Sequence, residues 1–456
     1  MCCYTHQKNS TAMSKAIMWF RNDLRLTDNP ALNAAVQQHD EILPVYILDE
    51  RLLRPGPWGF PRMGAYRLKF LLESLADLQE DLQEKGSQLL FKVGVPETML
   101  PQIAQSYGCS AVYASKEYTH EELQAEEALQ AKLECYFSHS LLLTAPDDLP
   151  FSIDQVPEVF TQFRKRVEKY ARIPDALEPP NAIPTVGFAS EPLPEMASLG
   201  YDCPEADQRA VLPFKGGALA AYDRLDHYLW DTDHIATYKE TRNGLIGADY
   251  SSKFSLWLAH GCISARAIWH EVEAYEAERK SNSSTYWMKF ELLWREYFKY
   301  IAMKHGRKIF FPGGIQDKAV RWRDNDKLFH KWATGTTGDD FVDANMRELL
   351  YTGFMSNRGR QNVASYLVHQ LKQDWRKGAA WFEALLIDYD VASNYGNWMY
   401  AGGVGNDPRD RVFNTQKQAR DYDKDGAYRK RWLQQDKRSP NAWFERLTAP
   451  IQSVSK

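Results

Sequence analysis

The chain has 456 residues, of which 44% are hydrophobic and 25% charged, with a net charge of −4. That is too long for one ordinary core, so two domains are expected, and no stretch approaches the ~20 apolar residues that span a bilayer, which excludes a membrane helix bundle. Residues 1–214 carry a net −11 and residues 215–456 a net +7, and 12 of 14 tryptophans lie after residue 214, so the second part suits a polyanion and flat rings.

Residues 1–14 lack a positive segment followed by an apolar core, so they read as a disordered leader rather than a secretory signal, with Met13 as an alternative start. Cys2, Cys3, Cys109, Cys135, Cys203 and Cys262 show no C-x-x-C spacing and no accompanying His cluster. The expectation is a reduced cytoplasmic protein without metal or disulfides.

From residue 15 to 143 apolar runs alternate with helical spacing. Lys15–Phe20, Glu41–Leu48, Ser87–Gly94, Ala111–Ser115 and Cys135–Leu143 read as buried strands, with helices over Arg62–Lys85 and Thr119–Glu134. This alternation predicts an α/β domain with a parallel sheet covered on both faces. Neither a P-loop nor G-x-G-x-x-G occurs there, which argues against a nucleotide triphosphatase or a dinucleotide dehydrogenase. Residues 144–213 are proline-rich and read as a long surface linker with one helix over Gln155–Ala171. Residues 214–446 read as an all-α domain, in which Leu219, Tyr222, Leu225 and Leu229 mark one helical face.

Four segments carry polar chemistry beside aromatic rings. In Phe290–Phe298, helical spacing puts Glu291, Trp294 and Phe298 on one face, where a ring stacks and a carboxylate meets a polar edge; an ordinary amphipathic helix gives the same pattern. Asn357, Arg358 and Arg360 cluster at a helix start after Gly353, suited to phosphate or a buried carboxylate, or to a solvated basic turn. Asp388–Pro408 mixes Gly and Asn with Tyr395, Trp398 and Tyr400, which reads as a ligand-binding turn rather than a helix, or as a structural loop. Tyr250–Ser255 sets hydroxyls before an apolar helix, as an anion site or a plain cap.

Taken together, these segments resemble the photolyase and cryptochrome family. The opening Trp19-Phe-Arg-Asn-Asp-Leu-Arg-Leu-Thr-Asp-Asn-Pro-Ala-Leu32 is similar to that family's first motif. Gly94-Val-Pro96, Tyr250–Ser255, Glu291–Glu296, Asn357-Arg-Gly-Arg360 and Asp388–Trp398 follow in family order, across roughly residues 15–435. Ser393–Tyr400 and Gly403–Arg409 most resemble the DASH cryptochromes.

The resemblance implies an N-terminal α/β antenna domain, a linker and a helical FAD domain. It implies FAD phosphates near Tyr238, Ser251, Ser252, Lys253, Phe254 and Ser255, an Arg360–Asp388 ion pair beside the isoalloxazine, Asp390 near the ribose, and Asn394 near flavin N5 favouring the reduced flavin. Trp398, Trp375 and Trp322 would relay electrons from flavin to surface, and Glu291, Trp294, Asn357, Arg358 and Tyr400 would hold DNA. Family members acting on duplex DNA usually carry Trp where Tyr400 stands, so a preference for single-stranded DNA is implied. A methenyltetrahydrofolate antenna is implied too, with Glu121 meeting the pterin. The implied activity is blue-light repair of cyclobutane pyrimidine dimers by a monomer; the alternative is a blue-light sensor that repairs nothing.

Overall fold

The computed structural model describes residues 13–189, 191–407, 412–434 and 438–448. The leader expected over residues 1–14, with Cys2 and Cys3, thus falls largely outside the described residues, as do Pro408 and Arg409 of the Gly403–Arg409 motif.

The chain begins with β1 (Lys15–Phe20), α1 (Pro30–Gln38), β2 (Glu41–Asp49), α2 (Ala65–Glu84), β3 (Leu90–Gly94), α3 (Pro96–Tyr107), β4 (Ala111–Ser115), α4 (His120–Gln130) and β5 (Glu134–Ser138). The strands form one five-stranded parallel sheet in the order β3-β2-β1-β4-β5. β1 is central because it is almost wholly buried; Ala16 pairs with both Ile42 and Ala111. β5 ends at Ser138, five residues before the expected Leu143. α1 and α3 were not expected; both start at a proline, whose fixed φ suits a first helical turn.

The strand order reverses between β1 and β4, where the connections leave in opposite directions. In open α/β sheets, the crevice beyond the strand C-termini at such a point is the ligand-binding position. Here Asn22, just after β1, donates to Glu117, just after β4, at 2.7 Å.

The linker runs over the surface with one α-helix, α5 (Phe160–Tyr170), shorter than expected because Pro157 precedes it. Thr185 forms an isolated parallel bridge to Ile42, so the linker also borders the sheet. The remaining chain is helical: α6 (Ala218–Asp226), α7 (Tyr238–Thr241), α8 (Ser255–His260), α9 (Ala265–Glu278), α10 (Ser283–His305), α11 (Asp326–Ala333), α12 (Asp340–Thr352), α13 (Asn357–Ser365), α14 (Trp375–Leu385), α15 (Val391–Ala401), α16 (Thr415–Tyr422), α17 (Ala427–Leu433) and α18 (Pro440–Thr448). Leu219 does not share the buried face of α6: it is 63% exposed, and Ala221 and Leu225 point inward instead. Among the described residues no helix is long and apolar enough to cross a membrane.

α15 corrects the reading of Asp388–Pro408 as a turn. Its propensity is poor, but Asp390 caps it by accepting from the Ser393 N–H at 2.8 Å. Gly396 then lets α15 lie directly against α10, since a methyl there would run into the Phe298 ring. Tertiary packing outweighs propensity.

The two domains share buried polar contacts. Arg266 on α9 binds Asp28 with both nitrogens, at 2.9 and 2.7 Å, and Arg25 donates to the Gly261 carbonyl at 2.9 Å. Gly261, at φ +69°, passes so close to Asn22 that no side chain fits. Glu296 on α10 is buried at 1% exposure, and Tyr300 donates to it at 3.1 Å. Burial pushes its carboxyl up from 4.5 to about 7. The folded state therefore holds a proton that the unfolded chain releases. That stability is complete below pH 4.5 and is lost as pH rises through about 7. Glu296→Gln should remove the dependence: Tm rises at pH 8, by an amount equivalent to at most roughly 3 kcal/mol, and is little changed in acid. Thermal melts across this range check it.

Candidate functional site

α10, α13, α14 and α15 surround a cavity of about 440 Å³. Its lining includes Glu291, Trp294, Phe298, Asn357, Arg360, Asp388, Asp390, Asn394, Trp398 and Tyr400. A second cavity of about 270 Å³ adjoins it and shares Arg242, Glu291, Asn357, Arg360, Asp388 and Asp390. This one is lined by Tyr238 and by Ser251, Ser252, Lys253, Phe254 and Ser255, so distant segments of sequence converge.

Arg360 Nη2 meets both oxygens of Asp388 at 2.9 Å, and its Nε donates to the Met355 carbonyl. Ser255 Oγ donates to Asp388 Oδ2 at 2.7 Å, tying the α8 turn to the same carboxylate. Asn394 is buried and its amide donates to the Ala379 carbonyl at 3.1 Å, which fixes the orientation of its oxygen. Lys299 donates to Asp390 at 2.6 Å and, with Arg295 nearby, holds that carboxyl well below its usual range despite burial.

Lys253 is the most unusual cation. It sits at φ +63° and is 3% exposed, with its ammonium 3.1 Å from the Tyr250 ring centroid and 3.0 Å from Ser251 Oγ. Burial lowers its pKa well below that of an ordinary lysine, and Arg224 adds to the effect. Arg224 also braces this turn, donating to the carbonyls of Ser251 and Ser252.

Glu291, which lines both cavities, accepts through Oε1 from Arg242 at 2.7 Å and from the Trp287 indole at 3.1 Å. Burial raises its pKa, against the pull of Arg242. Trp294 and Phe298 each meet the Tyr400 ring edge-on at 5.9 Å. Arg358 does not line either cavity. It donates to Asn243 at 2.8 Å and lies over the Tyr422 ring, because its helical position turns it away from Arg360.

Trp398 and Trp375 are buried, whereas Trp322 is half-buried. Trp375 and Trp322 donate to the same carbonyl, that of Pro312, at 3.2 and 3.0 Å. A methyl on Gly402 would sit 3.1 Å from the Trp375 ring and 3.3 Å from the Trp398 carbonyl. Trp398 lines the cavity, Trp375 is buried and Trp322 reaches solvent.

A third cavity, of about 640 Å³, lies between the domains at the sheet's switch point. Asn22, Tyr46, Trp58, Glu117 and Glu121 line it from one side, and Lys299, Tyr389, Asp390 and Tyr395 from the other. Glu121 is ion-paired with Arg62 at 2.7 Å and largely exposed, whereas Glu117 is 5% exposed and burial raises its pKa. Arg242, Lys299 and Glu117 were not singled out in sequence. Arg242 follows the short α7 and Lys299 sits within α10, neither in a distinctive pattern, whereas Glu117 stands three residues before an acidic helix start.

Residues 16–184 match the family described as DNA photolyase, and residues 287–455 match the FAD binding domain of DNA photolyase. The chain belongs to the photolyase/cryptochrome family, with its FAD-binding domain at the C-terminal side. Within that family it resembles the DASH cryptochromes. It is 49% identical over 427 residues to the Cryptochrome DASH of Gloeobacter violaceus, covering 91% of this chain and 85% of that protein. It is 48% identical over 434 residues to that of Danio rerio, covering 93% and 84%. The crystal structure of a Synechocystis sp. cryptochrome superposes with a TM-score of 0.90 at 45% identity, covering 93% of this chain and 89% of that one.

Proposed function

We propose that this protein is a cytoplasmic, monomeric photolyase that splits cyclobutane pyrimidine dimers under blue light, preferring single-stranded or looped DNA. The observation carrying this reading is that Arg360, Asp388 and Asn394 line the same cavity as Glu291, Trp294, Asn357 and Tyr400. A flat redox group held by the first set would touch a base docked against the second.

The residues fit FAD. Lys253 is a buried cation beside a ring and a hydroxyl, in a pocket shared with Arg242, Ser252 and Ser255, and a diphosphate would complete it. Arg360, Asp388 and Asn394 offer fixed polar atoms to a ring edge, and Phe382 and Trp398 offer apolar wall. The cavity between the domains fits a methenyltetrahydrofolate antenna: Tyr46, Trp58 and Tyr395 supply ring surface, and Glu117 and Glu121 supply acceptors for N–H groups. When bound, reduced FAD supplies the light-excited electron, and the folate supplies absorbed energy.

The chain's own part is positional and electrostatic. Trp294 stacks the lesion, and Asn357 hydrogen-bonds its edge. Arg242 and Trp287 both occupy Glu291 Oε1, so Oε2 is left for the dimer. Raised by burial, the Glu291 carboxyl can donate to a dimer carbonyl oxygen as negative charge develops there. Asn394, held by Ala379, presents a neutral oxygen rather than a carboxylate to the cavity. Trp398, Trp375 and Trp322 restore the reduced state from the surface inward.

Tyr400 sets the strand preference. Base stacking contributes roughly 1–3 kcal/mol, and extruding a base from a duplex costs a few kcal/mol, so the smaller phenol covers less of the flipping cost than an indole would. Single-stranded dimers should be repaired at least tenfold faster than dimers in matched duplex, and Tyr400→Trp should narrow the ratio. Equal turnover on the two substrates would refute the preference.

A further inference from the structure

Resting on the reading that Trp294 stacks the lesion, we infer that Phe160, contributed by the linker rather than by the helical domain, is a positioning residue that holds the Trp294 indole in its stacking plane. The two rings lie with centroids 3.7 Å apart and planes 13° from parallel. Phe160 is 4% exposed, so its far side is not available to any ligand. It is itself held edge-on by Phe290 at 5.2 Å and by Tyr297 at 5.5 Å.

The linker is fastened just before this contact, at Glu158. Tyr297 donates to the Glu158 carbonyl at 2.5 Å. The Glu158 carboxylate pairs with Lys304 at 2.6 Å and accepts from Asn406 at 2.6 Å, beyond the end of α15. Phe160 therefore enters α5 at a point tied to both helices that carry the lesion-facing rings. With one indole face covered by phenyl, only the other is left for a base, and the indole loses no rotational freedom when a base arrives. An aromatic side chain that must be immobilised on binding weakens affinity by roughly three- to tenfold.

The test compares Phe160→Leu, Phe160→Tyr and Trp294→Ala, using oligothymidylate carrying one cyclobutane dimer. Leucine fills much of the volume without a flat face; tyrosine keeps the face. Phe160→Leu should raise KM about three- to tenfold with kcat and flavin content near wild type, while Phe160→Tyr keeps the wild-type KM. An unchanged KM in Phe160→Leu, with KM raised in Trp294→Ala, overturns the positioning role and leaves the stacking reading intact. An unchanged KM in Trp294→Ala overturns the stacking reading itself. Equal KM increases in the leucine and tyrosine variants also overturn the proposal, since packing alone would then account for the effect.

Discussion

Asp388→Ala is expected to purify without colour. Its carboxylate accepts from Arg360 through both oxygens at 2.9 Å and from Ser255 at 2.7 Å, and its side chain is 2% exposed. Removing one partner of a buried pair leaves the other charge uncompensated, at about 3–5 kcal/mol. Because Arg360 and Ser255 both line the smaller cavity together with Asp388, the loss falls on the site as well as on the fold. Flavin affinity should drop at least about 100-fold, and Tm should fall with it. Ser255→Ala deletes one hydrogen bond to the same carboxylate and should cost only about 1.5–3 kcal/mol, leaving a pale but coloured protein. Visible flavin absorbance per chain after desalting, with a melt of each variant, measures both. Full colour in Asp388→Ala would remove the ion pair from the account of the flavin site.

Glu291→Ala is expected to keep its flavin and lose repair. Glu291 lines the 440 Å³ cavity, and among the described residues its side chain is held by Arg242 and Trp287. Deleting a preorganised group aimed at developing charge costs about 10²–10³ in rate. Arg242 would be left without its carboxylate, so dimer affinity should suffer as well. Glu291→Gln keeps a donor and an acceptor and should recover part of the rate. Since burial raises the Glu291 pKa, the protonated donor form is favoured as pH falls, so wild-type repair at saturating substrate should improve toward lower pH and Glu291→Gln should not follow. Rates of dimer loss under constant blue light at several pH values decide this.

Much of the N-terminal fold was legible because buried parallel strands are continuous apolar runs. β1 and β4 fall on the expected Lys15–Phe20 and Ala111–Ser115 to the residue. α15 was not legible, because its Asn, Ser and Gly residues disfavour a helix in isolation. What makes it one is the Asp390 cap and the contact of Gly396 with Phe298, neither visible without the tertiary structure. Residues of the four polar segments line adjoining cavities, except Arg358, whose side chain turns toward Asn243. Arg242, Lys299 and Phe160 belong to no motif. They enter only because folding sets them against Glu291, Asp390 and Trp294.

The most direct measurement is the release of intact thymines from a single-stranded oligonucleotide bearing one dimer, followed with the reduced, flavin-loaded protein in blue light and in darkness. Many turnovers per chain in the light and none in the dark are expected. A protein that holds its flavin, binds the oligonucleotide and leaves the dimer whole under illumination would contradict the account.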